Sequence, residues 1–445
     1  MFRLTTHYKG PSRFLTRTSS LTAILVVGLC SILYLTLFLP GFSVKTGLDR
    51  WVPKASNKTE PQAHWDKSPR RLIVFGDSWS DNGQYPIDPP PKDQLPTREE
   101  AQGKVWTEWL SSAISCTHHD NFARSLPYSW DSGYSGAVVD SNLLNATLMN
   151  TTLSNSTLVT DFEIAEPLAD LKTQVQQWLK FEKEQYGNSR VSVVERNGTV
   201  FTIWFSLWDL WYYSEKTIEE AEVAVTKTMD SLFEQLDLIA ENWPSELKII
   251  MPEAIDTTFL PGWHSIRTGP LGSDPQGESQ RSAVLLTEQW NRALDMRATR
   301  WNQGSMYIYN TNEWLLDQVR EQQLFTAHLS DANGMGATEP PWSNVRSGCV
   351  ERNATLAEAL SLKRCTDPNT YLFWDDMHLG PEAMKMIGEG IAQDIAANRG
   401  DSWFAHEIEM TNEEGGALEA TSTKDPHLEE PSPTDSPMEA RPTQR

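Results

Sequence analysis

The sequence predicts an α/β fold, a three-layer domain in which a mostly parallel sheet is covered by helices on both faces. Short apolar runs of strand length, at 71–75, 200–205, 247–251 and 306–309, are the first observation behind it. Between them lie longer stretches whose apolar residues recur at helical spacing, the alternation that builds parallel sheets. The third observation is size, because 445 residues with 18 tryptophans can bury a substantial core.

From the N-terminus, a basic segment at 1–17 (Arg3, Lys9, Arg13, Arg17) precedes an uncharged stretch at 18–39. That stretch reads as a transmembrane signal-anchor helix with the basic side in the cytosol, which makes the chain a single-pass type II membrane protein. A cleaved signal peptide is the alternative; the run is longer than the usual 7–15 residues and lacks a small-x-small site. Residues 40–69, with Pro40, Gly41, Pro53 and Pro61, have no periodic apolar face and read as a stalk. The domain follows at 70–400, on the lumenal or extracellular side.

Two further patterns agree with that side of the membrane. Asn57, Asn145, Asn150, Asn155, Asn197 and Asn353 each open an Asn-x-Ser/Thr glycosylation triplet, and all lie after the apolar stretch. The group at 145–157 reads as an exposed, sugar-bearing loop. Cys349 and Cys365 close a short loop, and an oxidising compartment favours their pairing as a disulfide. With 38 basic and 60 acidic side chains the net charge is -22, which argues against a nucleic-acid partner.

Within the domain, the strand at 71–75 ends at Gly76, and residues 84–100, rich in Pro, Asp and Glu, form a loop. Val105 to Leu110 starts a helix. The region 121–160 is turn-rich, with one apolar island at 136–139. Leu168, Leu171, Val175, Trp178 and Leu179 predict a helix over 167–183, and Ile218, Val225, Met229, Leu232, Leu236 and Ile239 another over 217–242. Leu286, Trp290 and Leu294 mark a further helix. The last begins at Pro381 and buries Met384, Ile387, Ile391 and Ile395. Residues 401–445 are too polar to pack and read as a disordered acidic tail.

Ser78 stands two residues beyond Gly76, where a strand-to-helix turn exposes a side chain. Ordinary turn chemistry is the competing explanation of Gly76-Asp77-Ser78. A serine nucleophile needs a base and a third group to hold that base, and Asp375-x-x-His378 just before the last helix offers both. His118-His119-Asp120 lacks companions at metal-ligand spacing and reads as a solvated turn. Trp208, Trp211 and Tyr212 fall past the end of the strand at 200–205, where ligands bind in open parallel sheets, and are candidate cleft residues together with Trp79.

Phe75-Gly76-Asp77-Ser78-x-x-Asp81-x-Gly83, Gly103-Lys104-Val105-Trp106-Thr107-Glu108-Trp109-Leu110 and Leu372-Phe373-Trp374-Asp375-Asp376-Met377-His378 together resemble blocks of the GDSL (SGNH) hydrolase family. The resemblance covers about 70 to 397 and implies a flavodoxin-like three-layer fold. It implies ester hydrolysis through an acyl-enzyme, with Ser78 as nucleophile, His378 as base and Asp375 orienting it. No cofactor or metal is implied. The family's oxyanion hole uses the serine N–H, a glycine N–H in a second block and an asparagine side chain in a third. Ser78 and Gly136 match the first two, with Ser125 as the alternative to Gly136. Phe205-Ser206-Leu207-Trp208-Asp209 occupies the place of the family's Gly-x-Asn-Asp, so Trp208 stands where the asparagine is expected. A slow esterase, a site repaired by another donor and a binding protein without turnover all follow. The expected substrate is an acylated glycan or a lipid ester, and an O-acyltransferase moving acyl groups between glycans is the rival within enzymes.

Overall fold

The computed structural model describes residues 70–92, 95, 98–126, 136–152, 168–186, 196–267, 277–351 and 363–398. The expected anchor (18–39), stalk (40–69) and acidic tail (401–445), with Asn57, Asn155 and Asn353, lie outside the described residues. Among the described residues no helix is long and apolar enough to cross a membrane.

Five parallel strands form the sheet, in the order β2-β1-β3-β4-β5. They are β1 (Arg71–Gly76), β2 (His118–Asn121), β3 (Thr199–Trp204), β4 (Leu247–Pro252) and β5 (Gly304–Tyr309). Every residue of β1, β3 and β4 is buried, which is why these strands read as unbroken apolar runs. The chain moves one way across the sheet from β1 to β2 and the other way from β2 through β3, β4 and β5. The helical crossovers that parallel strands require cover both faces of the sheet. On one face α1 (Trp106–Ala113) packs with the last helix, α8 (Pro381–Asn398); the other face carries α3 (Leu171–Phe181), α5 (Ile218–Asn242) and α6 (Glu278–Arg300). Three further helices, α2 (Ser141–Thr152), α4 (Leu207–Tyr213) and α7 (Thr311–Thr326), complete the described set. Because the strand order reverses beside β1, the crevice past the carboxyl ends of β1 and β3 is the switch point where such sheets bind ligands. Gly76 and Trp204, the last residues of those strands, are register partners.

Two sequence expectations are corrected here. His118-His119-Asp120 is not a solvated turn but part of β2, pairing from Arg71↔His118 to Val74↔Asn121. An edge strand buries little, so only Asn121 of this segment is fully buried and no apolar pattern betrays it. Burial pushes the His119 imidazole down to about 4. Asn145 and Asn150 lie not in a loop but on α2, which Asp140 starts by accepting the N–H groups of Asn142 and Leu143. Asn145 is partly exposed there, and Asn197 is partly exposed just before β3. Cys349 and Cys365 form the expected disulfide.

The edge strand is held by charge as well as by its ladder. Arg71, with a fully buried side chain, pairs with Asp120 at 2.5 Å and with Glu182 at 2.5 Å. Removing the cation leaves two largely buried carboxylates without it. Arg71→Met is therefore expected to lower stability by about 3 kcal/mol, measured as a shift of the urea unfolding midpoint with an unchanged m-value.

Candidate functional site

Ser78 sits in a tight turn directly after β1. Asp77 builds that turn: its carbonyl accepts the N–H groups of Ser80 and Asp81, both at 3.0 Å, and its Oδ1 accepts the Trp79 N–H at 2.9 Å. Neighbouring elements then clamp it. Asn121 at the end of β2 donates to the Ser80 carbonyl at 2.7 Å, and the Trp106 indole at the start of α1 donates to Ser80 Oγ at 3.1 Å. Trp204 packs edge-on against both Trp79 and Trp106, with ring centroids 5.1 and 5.5 Å apart. A Cβ at Gly76 would come within 2.6 Å of Ser80 Oγ and 3.0 Å of the Trp204 carbonyl, so only glycine allows the turn this close to β3. Ser78 itself stays partly exposed amid buried neighbours.

The loop from 375 to 378 meets this turn from the far end of the chain. The Trp79 indole donates to the Met377 carbonyl at 2.9 Å. Asp375 holds the loop by accepting the Met377 and His378 N–H groups at 2.8 Å each, and both its carboxylate oxygens lie 2.9 Å from His378 Nδ1. A histidine held at Nδ1 by a carboxylate carries its basic lone pair on Nε2. The Trp374 N–H donates to the His378 carbonyl at 2.8 Å, closing the loop before α8 begins. A second wall comes from the segment 260–265, where Gly262 N–H donates to the Asp376 carbonyl at 2.7 Å and Ser265 Oγ to the Asp376 carboxylate at 3.2 Å.

On the other side of Ser78 stand Gly136 and Trp208. Trp208 Nε1 donates to Ser78 Oγ at 3.3 Å. A methyl group at Gly136 would overlap that indole nitrogen and lie 3.0 Å from Ser78 Oγ. The glycine is thus the space into which the tryptophan fits. Ser125 pairs with Gly136 in an isolated antiparallel bridge, and its hydroxyl donates to Asp81 at 2.7 Å. Helix α4, which carries Trp208, is entered through Ser206 at φ 145° and ψ -36°. That is glycine territory occupied by serine, a strained backbone retained beside the site.

Two buried acids lie beneath these groups. Burial pushes Asp77 up to about 7, against the opposing pull of the Trp79 N–H and the nearby His378. Asp209, next to Trp208, is pushed up to about 8 by burial, with Asp77 and Asp140 adding to the rise. Its Oδ1 accepts the Val139 N–H at 3.3 Å, while Oδ2 has no hydrogen-bond partner among the described residues. A neutral carboxylic acid suits that setting better than a carboxylate.

Ser78, Gly136, Trp208 and the Asp375-His378 pair, far apart in sequence, are therefore brought to one end of the sheet. The expected aromatic cleft is not open: Trp79, Trp208 and Trp211 are buried, Trp211 edge-on against Trp263, and only Tyr212 is partly exposed. Sequence reading passed over Asp209, Gln174 and the 260–265 wall. Gln174 was detectable, since it is a polar residue within the apolar stripe Leu171, Val175, Trp178. Among the described residues no cluster of three His, Cys, Asp or Glu could hold a metal ion.

No protein-family model and no curated protein matches the chain. Among solved structures, it is similar to a phospholipase A1 from Streptomyces albidoflavus NA297, with 10% identity over 73% of this chain and 98% of that one and a TM-score of 0.29. It is also similar to an extracellular lipase from Streptomyces rimosus, with 11% identity over 68% and 95% and a TM-score of 0.26. These likenesses are too weak to carry an argument about chemistry.

Two outcomes follow from the geometry. Gly136→Ala is expected to cost about 1–3 kcal/mol through overpacking, and the double variant with Trp208→Leu to be more stable than the sum of the two single losses; thermal denaturation of the four proteins measures the coupling. Asp209 binds its proton more tightly in the folded chain than in the unfolded one. Its contribution to stability is full below the unfolded value near 4 and is lost as pH rises through about 8. Asp209→Asn keeps an acceptor for Val139 and cannot ionise, so its stability relative to the parent is expected to rise between pH 5 and pH 9 in urea unfolding series.

Proposed function

We propose that this chain is a serine ester hydrolase of the GDSL (SGNH) type that acts through an acyl-enzyme. The carrying observation is the bond from Trp79 to the Met377 carbonyl, which draws an Asp375-oriented His378 to the turn that exposes Ser78. In this reading Ser78 Oγ attacks the ester carbonyl carbon as its proton passes to His378 Nε2. The oxyanion forms against the backbone N–H groups of Ser78 and Gly136 and the Trp208 indole N–H. Collapse expels the alcohol, which takes the proton from His378. Water then repeats the sequence on the acyl-enzyme and releases the acid.

Trp208 supports the repaired-site version of this reading. An asparagine amide is absent, yet a donor on a rigid ring already lies 3.3 Å from Ser78 Oγ. The disulfide between Cys349 and Cys365 supports a lumenal or extracellular domain, with 18–39 as its membrane anchor. The substrate is an acyl ester of a glycan or lipid.

The test is labelling of the purified chain by a fluorophosphonate probe, with hydrolysis of p-nitrophenyl acetate in parallel. Labelling and turnover are expected for the parent, and neither for Ser78→Ala; His378→Ala should lower both by several orders of magnitude. Trp208→Phe, which removes the N–H together with the five-membered part of the indole, is expected to reduce turnover about 10²-fold. An unlabelled parent protein sinks the hydrolase reading.

A further inference from the structure

Gln174 is a fully buried amide on α3 whose hydrogen bonds go to the backbone that precedes the nucleophile. Its Oε1 accepts the Gly76 N–H at 3.0 Å, and its Nε2 donates to the Gly76 carbonyl at 2.9 Å and to the Ala169 carbonyl at 2.8 Å. The side chain thus pairs with both polar groups of one residue, as a neighbouring strand does. Few contacts fix a backbone position so completely, because both a donor and an acceptor must stay in register.

The first turn of the same helix grips the Gly136 segment. The Leu171 N–H donates to the Val138 carbonyl at 3.3 Å. The α3 N-cap, Asp170, accepts the N–H of Ser141 at 3.1 Å and its hydroxyl at 2.8 Å. Asp170 also accepts the Thr173 N–H and hydroxyl, at 2.9 and 2.8 Å, which locks the cap to the helix. One short rigid element therefore holds, within four residues of sequence, the backbone leading to Ser78 and the backbone leading from Gly136.

We propose that Gln174 is a positioning residue that, with Asp170, sets the separation of the Ser78 and Gly136 backbone N–H groups. The proposal rests on the ester hydrolase reading, in which those groups receive the oxyanion. Gln174 touches neither substrate nor reacting atoms. Its influence passes through Gly76 into the turn. Because the oxyanion exists only after attack, a displaced donor weakens the transition state more than the ground-state complex. Loss of the brace should appear in kcat rather than in KM.

The experiment compares p-nitrophenyl acetate kinetics and fluorophosphonate labelling rates for the parent, Gln174→Met, Ser141→Ala, Trp208→Phe and the Gln174→Met/Trp208→Phe pair, with melting temperatures and near-UV circular dichroism of each. Methionine keeps the shape of glutamine and removes its hydrogen bonds. The expected result is a fall in kcat of tenfold or more for Gln174→Met with KM within twofold of the parent, assayed well below the melting temperature. Ser141→Ala, which removes one bond to Asp170, should lower kcat severalfold. The combined loss of the double variant should be smaller than the product of the single losses, since both act on one oxyanion. A folded Gln174→Met with kcat within twofold of the parent overturns the proposal, as does a loss confined to KM. If Gln174→Met does not fold, Ser141→Ala decides, and an unchanged kcat there overturns it. A parent protein without labelling or turnover instead removes the hydrolase reading, and this proposal with it.

Discussion

The bond from the Trp79 indole to the Met377 carbonyl spans 298 residues of sequence, and the assembly of the site depends on it. It is buried, so it is not exchanged for water, and a lost partner would leave a polar group without compensation in the core. The two ends it joins differ in character. Trp79 belongs to a turn fixed by β1, β2 and α1, whereas Met377 belongs to a loop built around Asp375 and held from outside by Gly262 and Ser265. Neither end holds the other in shape. The bond sets only their mutual position, and that position decides whether an imidazole oriented by a carboxylate lies beside a serine.

A second constraint is volume. Gly76 has no room for a Cβ between Ser80 and Trp204, and Gly136 has none beside Trp208. The tryptophan is therefore not a side chain added to an otherwise ordinary pocket. It requires a glycine opposite, and it follows Ser206, which bears a backbone conformation that glycine adopts without cost. These features form one solution: strain at Ser206 and empty volume at Gly136 together let an indole N–H reach Ser78. A substitution at any of the three alters the demands on the other two.

The fold was legible where burial is two-sided. β1, β3 and β4 are buried throughout and stand out as apolar runs, and α5 and α8 show their stripes. β2 was illegible because its residues, His118, His119, Asp120 and Asn121, carry no apolar signal, its hold on β1 coming from the backbone ladder and the Arg71–Asp120 pair. The helix over 141–152 was hidden for a related reason: its Asn and Thr residues favour turns in isolation, and its start depends on the Asp140 carboxylate. Of the site, Ser78, Asp375 and His378 were readable from residue type and place. The direction of the Trp208 indole was not, because it depends on what position 136 lacks. Asp209 left no trace because its partner is a main-chain atom remote in sequence, and Gln174 stood out only as a polar residue in an apolar stripe, its bonds to the Gly76 main chain being invisible in side-chain identity.

Two carboxyl groups lie near His378, and their surroundings divide the work between them. Asp375 receives two backbone N–H groups as well as the ring Nδ1, so its charge is met on both oxygens. For Asp77 the Trp79 N–H and the nearby His378 do not offset burial, and it holds its proton up to about 7. Below that value Asp77 is neutral, and in the proposed reaction Asp375 alone balances the charge that His378 takes on. Burial of Asp77 in the turn that exposes Ser78 thus does more than hold Trp79 in place: it keeps a second negative charge away from the histidine until the pH exceeds about 7.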